Sequence, residues 1–282
     1  MAFETLDCLS LPGSSDRPNE DSFASSPKAA LVMDGATGLG ESLMPGDSDA
    51  AWLARFGTER LMFYLRGGLK ARTVLNAVFN EVEHAFVTQR TRAPKETYEI
   101  PFASMMLIAS TDSGFDALWY GDCSAFVARP DEAVEVVGEA VAKRALESER
   151  VAKLAATHGL SPAAGFNRPE YLSALRRARN TVNSDKGGWL FGPDARAADH
   201  VSARSLVAPL GTRILLLTDG FLALASDYRR YDAQSLIEAA TVQGLEALGR
   251  ELREIENADV EGRRYPRFKT SDDATALLLR VA

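Results

Sequence analysis

Short apolar runs bounded by turn residues recur along the chain and predict strands at Ala29–Met33, Phe102–Ser110, Phe115–Tyr120, Ser124–Ala128, Ala133–Val137, Arg213–Thr218 and Thr275–Val281. Thr111-Asp112-Ser113-Gly114 separates two of these runs and predicts a hairpin. Helical spacing links Leu53, Phe56, Leu61, Tyr64 and Leu65 in one stripe, and Leu75, Val78, Phe79, Val82 and Phe86 in a second. Ile237, Leu245, Leu248, Leu252 and Ile255 form a third. Each stripe is expected to pack on a sheet as core. A more polar helical stretch over Glu139–Thr181, broken at Pro162 and at Asn167-Arg168-Pro169, reads as part of an insertion over 139–200, with Pro169 suited to a first helical turn. Helices are grouped and neighbouring strands are joined by short turns, so the expected class is α+β with antiparallel sheets, not a doubly wound fold. No repeat or low-complexity linker divides the chain, and residues 1–282 are expected to form one domain.

Composition narrows the partners. The 282 residues are 46% hydrophobic and 25% charged, an ordinary globular balance. Lys and Arg total 32 against 39 Asp and Glu, a formal charge of -7, and an acidic chain lacks the basic face that a phosphate backbone requires. No nucleic-acid partner is expected. Met1–Ser10 carries acids in place of a basic n-region, and no apolar run reaches spanning length, so a cytoplasmic protein without a membrane partner is expected. Cys8 and Cys123 are far apart and give no support to a disulfide framework or a thiolate metal site.

The informative chemistry is the placement of acids at strand ends. Asp34-Gly35, Gly121-Asp122 and Asp219-Gly220 each follow an apolar strand, Asp272-Asp273 precedes one, and Asn19-Glu20-Asp21 lies near the N-terminus. Any one Asp-Gly is ordinarily a turn device, because Asp caps its own backbone and Gly accepts positive φ. Several together pose an electrostatic problem, since clustered carboxylates raise one another's pKa unless a cation lies between them. Hard divalent ions suit such oxygen donors, and His84, His158 and His200 are too scattered to form a histidine site. Two such ions can lower the pKa of a shared water and aim the hydroxide at phosphorus, which is phosphoester hydrolysis.

The ordered series Arg17-Pro18-Asn19-Glu20-Asp21, Asp34-Gly35-Ala36-Thr37-Gly38, Gly121-Asp122-Cys123-Ser124, Thr218-Asp219-Gly220 and Ser271-Asp272-Asp273-Ala274-Thr275 resembles the metal-dependent protein phosphatases of type 2C over essentially the whole chain. The resemblance implies a four-layer αββα sandwich, a Mn²⁺ or Mg²⁺ pair at one end, and phosphoserine or phosphothreonine in signalling proteins as substrate, hydrolysed by direct attack of a metal-bridging hydroxide. It implies that Asp34 bridges both ions, that the Gly35 carbonyl completes the second, and that Asp219 and Asp272 hold the first. Glu20 and Asp21 resemble the acidic pair of the second ion and its waters, Asp122 the aspartate of a third, weaker ion, and Arg17 the phosphate-binding arginine; a monomer is expected.

The chain departs from the family pattern in three places. The usual arginine position is Asp16, one residue before Arg17; Ala36 replaces a histidine proposed as general acid in some members; and Phe221-Leu222-Ala223-Leu224 replaces a further aspartate. No general acid is assigned. Arg176, Arg177 and Arg179 read first as a solvated helix face, with phosphate reception by one of them as the sharper alternative. Trp189-Leu190-Phe191 reads as packing rather than substrate contact.

Two rivals are weighed against this reading. Gly35-Ala36-Thr37-Gly38-Leu39-Gly40 and the Tyr265, Lys269 spacing suggest a nucleotide-cofactor dehydrogenase, but the glycine spacing is wrong, Asp34 opposes a pyrophosphate, and Pro45-Gly46 breaks the helix that should follow. The other rival is a catalytically silent homologue that binds a phosphoprotein or signalling partner, because a fold does not secure an activity. Retention of Asp34, Asp219 and Asp272 argues against it, since a binding module has no need of crowded acids.

Overall fold

A computed structural model describes residues 1–138, 153, 169–267 and 269–282. Two five-stranded antiparallel sheets form the centre. The first has the order β1 (Phe3–Leu11), β10 (Ala274–Val281), β9 (Arg213–Leu217), β6 (Ser124–Ala128) and β7 (Glu135–Val137). The second runs β2 (Asp21–Ser25), β3 (Ala29–Gly35), β4 (Ala103–Ser110), β5 (Gly114–Tyr120) and β8 (Ser202–Val207). Every pairing between neighbours is antiparallel. The Thr111–Gly114 hairpin forms as expected, closed by the Thr111 amide on the Gly114 carbonyl at 2.8 Å.

Strand periodicity explains the layering. Ala30 and Val32 of β3 face Val127, Ile214, Leu216 and Leu277 of the first sheet in a core between the sheets. The alternate residues Leu31 and Met33 face the other way, onto α1 (Asp49–Leu65) and α2 (Ala71–Gln89), whose buried stripes include Leu53, Leu61, Leu75, Val78 and Phe79. The outer face of the first sheet packs Phe126, Leu215, Leu217 and Leu278 against α4 (Asp219–Ser226), α5 (Ala233–Gln243) and α6 (Leu245–Ala258). The central strands are thus buried on both faces, which makes them continuous apolar runs. The result is an α+β, αββα sandwich.

Three strands were not expected: β1, β2 and β8. All three lie at sheet edges, where one ladder is unpaired and polar residues are tolerated. β1 also carries a register irregularity between Thr5 and Asp7, which breaks its alternation. The third helical stripe needs correction. It belongs to two helices, α5 and α6, separated at Gly244, whose φ of +83° suits glycine and ends the first helix. Helix α3 (Pro169–Arg179) begins at Pro169, in accord with the first-turn expectation. Residues 139–152 and 154–168 of the expected insertion, with Pro162 and Asn167-Arg168, lie outside the described residues.

Candidate metal centre

The acids come together at one end of the sandwich because their strands end there in register. Asp21, at the start of β2, is paired with Asp34, near the end of β3, and Asp34 is in turn opposite Ser104 on β4. The Ser104 hydroxyl donates to Asp122 Oδ1 at 2.6 Å, which ties the turn after β5 to the same corner. Gly121 permits that approach: its φ is +68°, and a Cβ there would lie 2.1 Å from Ser104 Oγ. Gly35 is equally constrained, since a Cβ would stand 2.7 Å from the Ala50 carbonyl oxygen and 2.8 Å from that of Glu20.

Residues from the first sheet complete the corner. Thr218, between β9 and α4, donates its hydroxyl to Asp21 Oδ2 at 2.8 Å and accepts from the Thr275 amide at 2.9 Å, joining the two sheets across their seam. Asp219 opens α4, where a negative charge suits the helix N-terminus. Asp272 and Asp273 divide their work. Asp273 accepts from the Gly13 and Glu20 amides at 2.7 and 2.8 Å and fixes the N-terminal loop, whereas Asp272 faces a cavity of about 440 Å³.

Asp34, Gly35, Asp122, Asp219 and Asp272 all line that cavity. Glu20 and Asp21 do not line it but meet residues that do, Thr37 and Asp34 respectively. Glu20 accepts from the Thr37 hydroxyl and, at 2.5 Å, from Ser48 Oγ, the residue that also caps α1. Asp21 is 6% exposed. Arg17 is exposed in the loop before β2 and is not among the lining residues.

Electrostatics are strained here. Burial pushes the Asp34 carboxyl well above the usual carboxylate range, and Asp219, Asp21, Asp122 and Asp272 push it further. Burial likewise raises Asp21, against hydrogen bonds from Thr275 and Thr218, with Asp273 and Asp272 adding to the rise. The Oδ1 of Asp21 is buried without a hydrogen-bond partner, a costly arrangement for an acceptor.

The residues fit hard divalent ions. The donors are carboxylates and a backbone carbonyl, no His or Cys among the described residues lines the cavity, and Asp21, the strand partner of Asp34, carries an orphaned carboxylate oxygen. Among the described residues, no three His, Cys, Asp or Glu side chains stand close enough to hold one ion unaided. Ions at this centre would therefore draw on few carboxylates each and keep several waters, as Mg²⁺ habitually does.

Three cations also reach the cavity: Arg179, Arg267 and Lys269. Arg179, the last residue of α3, donates to the Thr37 carbonyl at 2.6 Å. Burial lowers its pKa to about 10, with Glu20 opposing, so it remains charged at neutral pH. Arg176 turns to the Leu39 carbonyl and lies over the Tyr98 ring at 4.6 Å. Phe191 is fully buried, as its packing reading anticipates. The sequence assigns no role to Ser104, holds Thr37 within the Asp34-Gly35-Ala36-Thr37-Gly38 motif without a role, and offers Lys269 only through a spacing of another chemistry. Their signal was proximity, Lys269 lying three residues before Asp272.

Acids from the ends of four strands, β3, β5, β9 and β10, line one cavity at one end of the αββα sandwich. Residues 13–254 match the family model for protein phosphatase 2C, and the chain belongs to that family. Among solved structures, the Mycobacterium tuberculosis serine/threonine phosphatase PstP/Ppp is 13% identical with a TM-score of 0.59, and the match covers 100% of this chain and 99% of that one. The catalytic domain of PstP in complex with two manganese ions is 14% identical with a TM-score of 0.58, over 100% and 99% of the chains. PppA, described as a key regulatory component of T6SS in Pseudomonas aeruginosa, is 17% identical with a TM-score of 0.53, over 99% and 98%. No curated protein matches the chain. Among the described residues, no helix is long and apolar enough to cross a membrane.

Proposed function

We propose that this protein is a Mn²⁺- or Mg²⁺-dependent phosphatase of phosphoserine and phosphothreonine in proteins. The observation that supports this most is the convergence of Asp34, Asp122, Asp219 and Asp272 on one cavity, with an orphaned Oδ1 on Asp21, the strand partner of Asp34. Asp34, the Gly35 carbonyl, Asp219 and Asp272 would hold a pair of ions, Glu20 and Asp21 would serve the second ion and its waters, and Asp122 would serve a third. Bound there, divalent ions would lower the pKa of a water and neutralise charge on the phosphate.

The chain's own residues do the rest. Thr218 and Ser104 hold Asp21 and Asp122 in fixed orientations through their hydroxyls, which keeps the ligand geometry preorganised. Arg179 is assigned the substrate phosphate in preference to the exposed Arg17: it lines the cavity, stays cationic, and offers a planar fork of donors suited to phosphate oxygens. Among the described residues, no Cys, Ser or His lining the cavity is set up as an activated nucleophile: Cys123 does not line it, and the Ser104 hydroxyl is committed to Asp122. Direct attack by water, without a phosphoenzyme, is the proposed route.

The test is hydrolysis of phosphoserine, phosphothreonine and phosphotyrosine peptides by metal-stripped protein, with and without Mn²⁺ or Mg²⁺. Metal-dependent release of phosphate from the first two is expected. Metal binding by calorimetry with no turnover of any peptide would overturn the enzymatic reading in favour of phosphoprotein binding alone.

A further inference from the structure

Of the cations that reach the cavity, Lys269 is paired directly with Asp272. Lys269 Nζ is 2.6 Å from Asp272 Oδ1 and donates to Thr37 Oγ1 at 3.1 Å, and that hydroxyl in turn donates to Glu20. The two charged side chains are 30% and 35% exposed, so the pair is neither free in water nor sealed from it. Lys269 is not placed there by chance of a loose loop. On its N-terminal side Arg267 donates to the Asp259 carboxylate and the Tyr265 carbonyl, and its Nε reaches past Lys269 to the Thr270 carbonyl at 2.9 Å. On its C-terminal side Asp273 is bound by the Gly13 and Glu20 amides. The loop is held at both ends, and the ammonium is delivered to a carboxylate that the proposed function assigns to a metal ion.

An ammonium and a divalent ion make opposing claims on that carboxylate. An ion beside Asp272 meets the like charge of Lys269 unless the ammonium withdraws from Oδ1, and either outcome weakens ion binding. With no divalent ion bound, the same ammonium offsets the repulsion among Asp34, Asp272 and Glu20. We propose that Lys269 is a built-in counter-cation that competes with divalent ions for Asp272 and so sets how tightly the centre holds them. The inference rests on the metal reading above.

The experiment is calorimetric titration of metal-stripped wild type, Lys269→Met and Lys269→Arg with MnCl₂, with thermal melts of each in the presence and absence of Mn²⁺. Lys269→Met is expected to bind Mn²⁺ about tenfold or more tightly, the scale on which one neighbouring charge changes a carboxylate's affinity for a proton. It should also melt lower without metal and gain more from Mn²⁺ than wild type does. Lys269→Arg, which keeps the charge, should stay near wild type. If Lys269→Met does not fold in metal-free buffer, Lys269→Gln, which keeps a polar contact, carries the same expectation.

A merely structural lysine gives a different result: lower melting with and without Mn²⁺, and no gain in affinity. That result, or an equal gain in Lys269→Arg, overturns the inference while leaving the metal reading intact. Wild type that takes up no Mn²⁺ overturns the metal reading itself.

Discussion

Asp259 and Asp34 are both aspartates with limited access to water, and their environments drive their acidities in opposite directions. Asp259 closes α6, and its carboxylate receives the amides of Arg263, Arg264 and Tyr265 as well as the Arg267 guanidinium at 3.0 Å. Burial alone would raise its pKa, but those amides and Arg267 outweigh it and hold the carboxyl below its ordinary value. Asp34 has carboxylates for neighbours, and burial and repulsion act in the same direction. Burial raises both acids, and their partners decide whether it is opposed, as in the structural knot at Asp259, or reinforced, as in the reservoir of negative charge at Asp34. The knot stabilises the fold; the reservoir stores repulsion that a cation relieves.

The largest effect is expected on breaking the knot. Arg267 and Asp259 side chains are each only 13% exposed, so Arg267→Met leaves an acid largely buried without its cation and should destabilise the protein by about 3 kcal/mol. Chemical denaturation of the metal-free variant measures this; a change within experimental error would mean that the three amides suffice. At the reservoir, Asp34→Asn should lower phosphatase activity by more than about a hundredfold, because even an outer partner of a metal ligand is worth up to that. Activity within a few fold of wild type would remove Asp34 from the centre.

The same contrast explains what could be read from the sequence. Central strands such as β3 and β9 are buried on both faces, so their composition alone declared them, and the acids were legible because each abuts such a strand. The edge strands β1, β2 and β8 carry no such signal; Ser202–Val207 buries only Leu206. Asp21 was found as part of a motif, but its pairing with Asp34 and its bond from Thr218 depend on two sheets meeting, which no local pattern records. The cations were harder still. Arg179 was one of three arginines on a polar helix, and only packing separates it from Arg176, while Lys269 first drew notice through a spacing that belongs to another chemistry.

Arg179 offers a way to sharpen the comparison from the substrate side. If it receives the phosphate, Arg179→Met should raise KM for a phosphopeptide about tenfold, the order of one charge-assisted, bidentate contact, with a smaller change in kcat. Arg176→Met, which loses contacts to Leu39 and Tyr98 only, should leave KM near wild type. Equal effects of the two substitutions would mean that α3 is simply being loosened.

The smallest effect is the most direct reading of the contrast, and it is a matter of pH. The folded-state pKa values of Asp34 and Asp21 lie above their unfolded values, so between the two the folded state binds more protons than the unfolded state, and stability falls as pH rises. Asp259 has the opposite sign: its folded value is depressed, and its contribution is present at neutral pH and is lost as pH falls through the carboxylate range. Net stability mixes these and other groups, but a difference between variants isolates one. In metal-free buffer, Asp34→Asn removes one descending contribution, so its stability relative to wild type should increase as pH rises above the ordinary carboxylate range. Saturating Mn²⁺ should reverse the order at the upper end, because wild type then gains ion binding that the variant lacks. A stability difference that is flat with pH, or one that leaves Asp34→Asn less stable throughout, would mean that the carboxylates are already neutralised by Lys269 and Arg179, and that the reservoir is no less balanced than the knot.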